Sequence, residues 1–234
     1  MSFDPYEFDR SMTSSQVETL GQYTAKTFLW MVLGLMITFA VAMVSWMTGA
    51  VFYVIQLHLV LLLATLFLSI TMAGRIERMA VGTAVAMFVA FSALLGFTIS
   101  IYLLVFDLVS VIFCILATAV YFGALAAYGH FTHRDLSGLR PILTSGLIFL
   151  ILFGIITWFI PAFTALDQMV CLVGIAVFLG YTAYDTQKIR AYYHYYAGFP
   201  DMLAKASIFS ALQLYLDFLN LFLYLLRFMG NRRR

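Results

Sequence analysis

The amino-acid sequence predicts an all-α polytopic membrane protein that crosses the bilayer seven times. Hydrophobic residues make up 64% of the 234 residues and charged residues only 10%, too few charges to cover a soluble domain. The apolar residues are gathered in long runs, each near the ~20 residues that a helix needs to cross a bilayer. The strands of a transmembrane barrel alternate in polarity over ~10 residues, and these runs do not. Helices are therefore the predicted spanning elements.

Seven such runs follow one another along the chain. The predicted spans are Phe28–Thr48, Tyr53–Met72, Ala80–Val105, Leu108–Tyr128, Ile142–Ile160, Met169–Thr186 and Ser207–Phe228. The chain thus divides into an N-terminal tail (1–27), a transmembrane domain (28–228) and a basic C-terminal tail (229–234). The N-terminal tail lacks the basic-then-apolar order of a cleavable signal peptide.

Basic residues are distributed unevenly among the connections between these spans. The first, third and fifth connections hold no Lys or Arg. The second, fourth and sixth hold Arg75, Arg78, Arg134, Arg140, Lys188, Arg190 and Lys205. Because Lys and Arg are enriched in cytoplasmic loops, the even connections and the N-terminus are predicted to be cytoplasmic.

The C-terminus departs from this charge pattern. If the last segment spans the membrane fully, Arg227 and the final arginines (232–234) lie outside. Two alternatives remain: seven full spans, or six spans followed by a re-entrant segment. The length of the last segment favours a full span.

Asp217 lies near the middle of the last apolar segment. An ionisable side chain at mid-membrane costs ~2.5–3.5 kcal/mol on insertion scales and indicates a functional site. Gln213, Asp217, Asn220 and Tyr224 share one narrow face of the predicted helix, because their spacing follows its period. We expect this polar stripe to face the protein interior or a water-filled cavity. Hydrogen bonding between helices would explain the two amides but not the carboxylate.

Asp185 lies at the cytoplasmic end of the sixth segment. It is either an interfacial aspartate near Lys188 or a partner of Asp217 on the next segment. Its predicted depth is shallower than that of Asp217, unless the sixth helix continues past Ile189. If the two carboxyl groups meet in a low dielectric, they cannot both ionise at low cost, and the pair would titrate as a unit. Arg75 or Arg78 could stabilise its charged form, and the paired carboxylates, with nearby amide oxygens, suit Ca²⁺.

Several classes of partner are disfavoured by composition. The formal net charge of +2 is too small to suggest a nucleic-acid partner. The sequence contains neither a glycine-rich phosphate loop nor Cys and His residues at metal-ligand spacing, so no resident cofactor is predicted. The predicted partners are the lipid bilayer, protons and Ca²⁺ as a permeant ion.

Two aspartate-centred motifs carry a resemblance to a known family. The segments Gly-Tyr-Thr-Ala-Tyr-Asp-Thr-Gln-Lys-Ile (180–189) and Leu-Tyr-Leu-Asp-Phe-Leu-Asn-Leu-Phe (214–222) resemble the signature of the Bax inhibitor-1 family. The segment Arg-Asp-Leu-Ser-Gly (134–138) is similar to its bacterial branch. The resemblance covers most of the chain, from the first span to the end.

This resemblance implies a fold, a function and a location. The implied fold has seven helices with the last one central, wrapped by the other six. The implied function is a pH-sensitive Ca²⁺ leak gated by a di-aspartyl pair, which corresponds to Asp185 and Asp217. A basic residue at the end of the second helix, here Arg75 or Arg78, would pair with one aspartate. The bacterial branch implies the cell inner membrane.

The sequence leaves two other functions open. A non-transporting regulator would bind another membrane protein, and small residues such as Gly123 and Ala127 could form its helix contact. An intramembrane aspartyl protease would carry Tyr-Asp on one helix and Gly-x-Gly-Asp on the next. Tyr184 and Asp185 fit the first motif, but the residues before Asp217 include no glycine, so no enzymatic activity is predicted.

Overall fold

The computed structural model describes residues 18–76 and 78–231, and this part of the chain is helical without a β-strand. The N-terminal residues 1–17 and the last three arginines lie outside the described residues. The α-helices are α1 (Leu20–Met47), α2 (Val51–Gln56), α3 (His58–Arg75), α4 (Val81–Ser100), α5 (Tyr102–Val105), α6 (Leu108–Phe131), α7 (Arg140–Phe159), α8 (Asp167–Tyr196) and α9 (Pro200–Met229). Short 3₁₀ turns, Ser137–Leu139 and Pro161–Leu166, precede α7 and α8.

Seven helical segments of the described chain are long and apolar enough to cross a membrane. Helices α4 and α5 together form one of these segments, and the other six are α1, α3, α6, α7, α8 and α9. The predicted all-α fold with seven spans is therefore confirmed.

Several helix boundaries differ from the predicted spans. α1 begins at Leu20 instead of Phe28, because Thr19 forms a capping box with Gln22, which satisfies backbone groups at the helix start. The predicted second span is interrupted at Leu57, so that α3 begins only at His58.

The last two helices are longer than their predicted spans. α8 continues past Thr186 to Tyr196, and α9 begins at Pro200 instead of Ser207. The polar residues there end the apolar run without ending the helix, since Lys, Arg and Gln are good helix formers. Proline at the first helical position is also compatible with a helix start.

The last helix forms the centre of the bundle. In the most apolar part of α9, 67% of the residues are buried, against 11 to 39% in the other six segments. α9 packs against α8, α1, α6 and α4, whereas α3 packs mainly against α4 and α7 against α8. The predicted central position is confirmed, although α3 and α7 form an outer layer and do not wrap α9 directly.

The Tyr215 side chain links α9 to α1 and α4 through a hydrogen bond and ring contacts. Its side chain is fully buried, with ring centroids 5.9 and 6.1 Å from those of Phe88 and Phe91. The Thr38 hydroxyl donates to the backbone carbonyl of Ser92 at 2.9 Å and lies 2.6 Å from the Tyr215 hydroxyl. Because the single Thr38 proton is used, Tyr215 must be the donor between them.

α9 crosses the whole bundle. It begins beside the end of α8, at the end of the bundle that carries the seven basic connection residues; we call this the basic end. At the opposite end, the Asp107 backbone N–H donates to the carbonyl of Asn231 at 3.2 Å, and Arg227 forms an ion pair with Asp167. The last segment therefore does not turn back, and the re-entrant alternative is wrong. The unexpected position of Arg227 is accommodated because Asp167 balances its charge.

Candidate functional site

Asp185 and Asp217 meet in the bundle core. Their side chains are only 7 and 5% exposed, and their carboxyl groups lie in hydrogen-bonding contact. The structure thus brings together the two aspartates that the sequence singles out. Their contact links the central helix α9 to α8, the helix that precedes it in the chain.

The length of α8 brings Asp185 to the necessary depth. Because α8 ends at Tyr196, about three helical turns separate Asp185 from the connection to α9. The helices then run antiparallel beside each other. The shallow depth expected for Asp185 followed from ending the sixth span at Thr186.

A second contact fixes the pairing of α8 with α9. The rings of Phe178 and Tyr224 stack with centroids 5.9 Å apart, and a Cβ atom at Gly174 would lie 2.6 Å from the Tyr224 ring. Phe178 and Asp185 share a face of α8, as Asp217 and Tyr224 share a face of α9. The polar stripe of α9 therefore faces α8.

The other stripe residues are half-buried and leave the pair with few hydrogen-bond donors. The Asn220 amide donates to the Leu216 carbonyl of its own helix at 2.8 Å, and Gln213 forms no side-chain hydrogen bond with any described residue. The buried Oδ2 of Asp217 is without a hydrogen-bond partner in the same part of the chain. Since a buried unsatisfied oxygen is costly and two carboxylates have no donor between them, their contact requires at least one proton.

Lys188 is the basic residue nearest to the aspartate pair along α8, one turn after Asp185. Neither Arg75 nor Arg78 forms an ion pair with either aspartate; both arginines line a separate cavity of about 450 Å³ between the end of α3 and the start of α4. The structure therefore does not bring the predicted arginines to the pair. The sequence shows the spacing of Asp185 and Lys188, but it does not show the direction in which the Lys188 side chain points.

Gln187 joins two segments that the sequence resemblance quotes separately. Its side-chain amide donates to the Arg134 carbonyl at 2.7 Å, and its oxygen accepts the Leu136 N–H at 2.9 Å. Arg190 donates to the His130 carbonyl nearby. These contacts hold the α6–α7 connection against α8, two residues beyond Asp185. Sequence reasoning missed this role, although Gln187 lies within the quoted motif.

Asp135 stabilises the turn inside this connection. Its carboxylate accepts hydrogen bonds from the backbone N–H and the hydroxyl of Ser137, both at 2.8 Å. The backbone hydrogen bond, with the hydroxyl contributing, lowers the pKa of this exposed carboxyl below its usual value. Asp135 thus stabilises the connection internally, and Gln187 anchors the connection to α8.

The aspartate pair could supply only part of a Ca²⁺ coordination shell. Ca²⁺ takes six to eight oxygen ligands, and the described residues contain no group of three or more His, Cys, Asp or Glu side chains that could hold a metal. The two carboxylates, with the half-buried Gln213 and Asn220 on the same stripe, would therefore suit an ion in transit better than a resident ion.

Comparison with known proteins agrees with the motifs. Residues 20–234 match the family described as "Inhibitor of apoptosis-promoting Bax1". The chain is 37% identical to the inner membrane protein YbhL of Escherichia coli K12 over 92% of this chain and 93% of the relative. It is 34% identical to the uncharacterized protein RP147 of Rickettsia prowazekii over 92% of each chain. An uncharacterized protein of Deinococcus radiodurans is 33% identical over 96% of this chain and 97% of the relative.

None of these names refers to an enzymatic activity. With seven spanning helices and a match over nearly its whole length, the chain is an integral membrane protein that belongs to the Bax inhibitor-1 family.

Proposed function

We propose that this protein is a pH-sensitive Ca²⁺ leak channel in which Asp185 and Asp217 form the proton sensor and the gate. The observation that supports the proposal is the buried contact of these two carboxyl groups between α8 and the central helix α9. A proton held between them joins the two helices by a charge-assisted hydrogen bond.

Loss of this proton is the step that opens the channel. Two carboxylates about 4 Å apart repel each other by about 4 kcal/mol at an effective dielectric constant of about 20. The repulsion pushes α8 away from α9, and the same step creates two anionic oxygen ligands for Ca²⁺. A second proton, by contrast, leaves an uncharged pair that can still form a hydrogen bond. Opening therefore follows deprotonation.

The proposed orientation places the basic end in the cytoplasm of a bacterial cell, with the protein in the inner membrane. Seven Lys and Arg residues of the connections lie at this end, as expected for a cytoplasmic face. The start of α1 lies there as well, because the Tyr193 hydroxyl on α8 donates to the Glu18 carbonyl at 2.8 Å. The N-terminus is therefore also cytoplasmic.

The proposal predicts that Ca²⁺ leak rises with pH. Purified protein is reconstituted into liposomes that contain a Ca²⁺ dye, a gradient is imposed, and the initial flux is measured from mildly acidic to mildly alkaline pH. The expected increase is on the order of tenfold or more, since about 1.4 kcal/mol of the repulsion suffices for a factor of ten. A flux equal to that of protein-free liposomes at every pH would contradict the proposal.

A second candidate function, regulation of another membrane protein, is favoured by an outer groove. The groove lies between α1 and α6, has a volume of about 370 Å³ and is lined in part by Gly123 and Ala127. Both small residues are exposed, and a Cβ atom at Gly123 would meet nothing within 4 Å. A helix of a partner could approach closely there. A specific partner should co-purify with the wild-type protein and be lost with Gly123→Leu; recovery of the same proteins with both would contradict this function.

A further inference from the structure

We propose that Arg75 and Arg78 bind the phosphate group of an anionic phospholipid in the cavity between the end of α3 and the start of α4. This site is separate from the aspartate pair and does not depend on Ca²⁺ leak. It is supported by the two guanidinium groups that line the cavity, by the level of the cavity in the membrane, and by the apolar surface that continues from it.

The cavity holds two cations that the bundle does not use elsewhere. It has a volume of about 450 Å³, and both arginines line it. Neither the Arg75 nor the Arg78 side chain forms an ion pair or a hydrogen bond with a described residue, and no described residue that lines the cavity is acidic. A guanidinium group presents its donors in a planar fork that matches the oxygens of a phosphate. The cavity is therefore suited to a phosphate group.

A turn at the end of α3 brings the two arginines together. The backbone N–H groups of Arg78 and Met79 donate to the Arg75 carbonyl at 2.9 and 3.1 Å. Residues three apart in such a turn are neighbours on its surface. Both guanidinium groups therefore extend from one turn and border the same cavity.

The backbone on both sides of the cavity leaves room for a ligand. Gly74 precedes Arg75, and Gly82 lies in the first turn of α4. A Cβ atom at either glycine would meet nothing within 4 Å. The exposed Thr83 also lines the cavity and forms no side-chain hydrogen bond with a described residue, so its hydroxyl can donate to a phosphate oxygen.

The length of α3 places the cavity at the level of the lipid headgroups. α3 has 18 residues, which gives a length of ~27 Å at ~1.5 Å per residue. This length is close to the ~30 Å thickness of the hydrocarbon core. With His58 near one boundary of the core, Arg75 at the other end of α3 reaches the opposite boundary, at the basic end.

Apolar surface continues from the cavity towards the middle of the membrane. Met87 lines the cavity and lies ~9 Å along α4 from Val81, its first residue. On α3, Phe67, Thr71 and Arg75 share one side of the helix because they are four residues apart, and Phe67 is 71% exposed. A ligand with its phosphate on the arginines would lay its apolar part along Met87 and Phe67. A phospholipid has this form, and a soluble phosphate compound does not.

The charge of the cavity selects an anionic headgroup. Basic pockets between transmembrane helices bind the headgroups of anionic lipids. A zwitterionic headgroup brings its own cation, which the two guanidinium groups would repel. Phosphatidylglycerol should therefore bind more tightly than phosphatidylcholine.

Native mass spectrometry of the full-length protein in detergent micelles tests the inference. Phosphatidylglycerol is titrated, and the Kd of the first bound lipid is determined for the wild-type protein and for Arg75→Gln/Arg78→Gln. The Kd should rise by about tenfold or more in the double variant, because two charge-assisted contacts to the phosphate are lost. If this variant aggregates, Arg75→Lys/Arg78→Lys is measured in its place; it keeps both charges but loses the planar fork, and its Kd should still rise severalfold.

Arg134→Gln/Arg140→Gln is the matched control. It removes two exposed cations from the same end of the bundle, and neither of them lines the cavity. Its Kd should stay within about twofold of the wild-type value. An unchanged Kd in the Arg75 and Arg78 variant that is measured, or an equal rise in the control, would overturn the inference.

Competition separates a lipid headgroup from a free phosphate compound. Inorganic phosphate and glycerol phosphate, added in excess, should leave phosphatidylglycerol bound, because they cannot use the apolar surface beside the cavity. Displacement by either compound would overturn the assignment of the ligand as a lipid. Binding of phosphatidylcholine as tight as that of phosphatidylglycerol would overturn the assignment of the headgroup as anionic.

Discussion

The Asp217→Asn variant is expected to lose the dependence of Ca²⁺ leak on pH. An asparagine amide can still donate a hydrogen bond to the Asp185 carboxylate, so the contact between α8 and α9 persists. The pair can then carry at most one negative charge, and the repulsion of about 4 kcal/mol that opens the channel does not develop. Flux in liposomes should stay near the low-pH level of the wild-type protein and vary by less than about twofold.

Asp201→Asn is the matched control for this experiment. Asp201 is an exposed carboxylate in the first turn of the same helix, α9, so its replacement removes one charge without touching the pair. This variant should keep the wild-type pH profile. A pH response of wild-type size in Asp217→Asn would exclude the pair as the gate.

The Gly129→Val variant is expected to prevent assembly of the native bundle. A Cβ atom at Gly129 would lie 2.2 Å from the backbone oxygen of Ala183. Because this neighbour is backbone, relief requires α6 and α8 to move apart. The expected loss is more than about 3 kcal/mol, beyond ordinary overpacking. It should appear as aggregation in size-exclusion chromatography and as loss of a thermal unfolding transition.

Gly123→Val provides a control on the same helix. A Cβ atom at Gly123 would meet nothing within 4 Å. The substitution therefore causes no steric clash and changes only the intrinsic helix propensity at this position. In lipid-facing positions this change should leave the elution profile and the unfolding midpoint nearly unaltered. Equal behaviour of the two variants would show that the close approach of Gly129 to Ala183 does not govern packing.

The sequence predicts the spanning helices better than it predicts their ends. Hydropathy marks where a helix meets lipid, and it therefore locates all seven segments. It does not mark where a helix stops, because residues such as Lys188 and Arg190 leave the apolar run while the backbone stays helical. The shallow depth expected for Asp185 came from this difference.

The two aspartates were predictable to different extents. A carboxylate such as Asp217 is unexpected in an apolar helix, and the polar residues that share its side of the helix indicate which helix face points to the protein interior. The role of Asp185 followed only from the family resemblance, because its predicted position suited an interfacial residue equally well. Their contact depends on the antiparallel packing of α8 and α9, which Phe178, Tyr224 and Gly174 fix.

The sequence does not predict where the side chains of Arg75 and Arg78 lie. The charge pattern predicts the side of the membrane on which Arg75 and Arg78 lie, but it does not predict the direction in which each side chain points. In the structure α3 belongs to the outer layer of the bundle, and Arg75 and Arg78 line a cavity between its end and the start of α4. Lys188 instead shares α8 with Asp185, and its orientation depends on two tyrosine rings.

One titration tests most directly whether Asp185 and Asp217 share a proton. Infrared spectra and Ca²⁺ flux are recorded on the same reconstituted wild-type protein across the same range of pH. A shared proton should give a carboxylic acid band that is absent from Asp217→Asn and that decays over the pH interval in which the leak rises. A leak that rises while this band stays unchanged, or a wild-type spectrum without such a band, would contradict it.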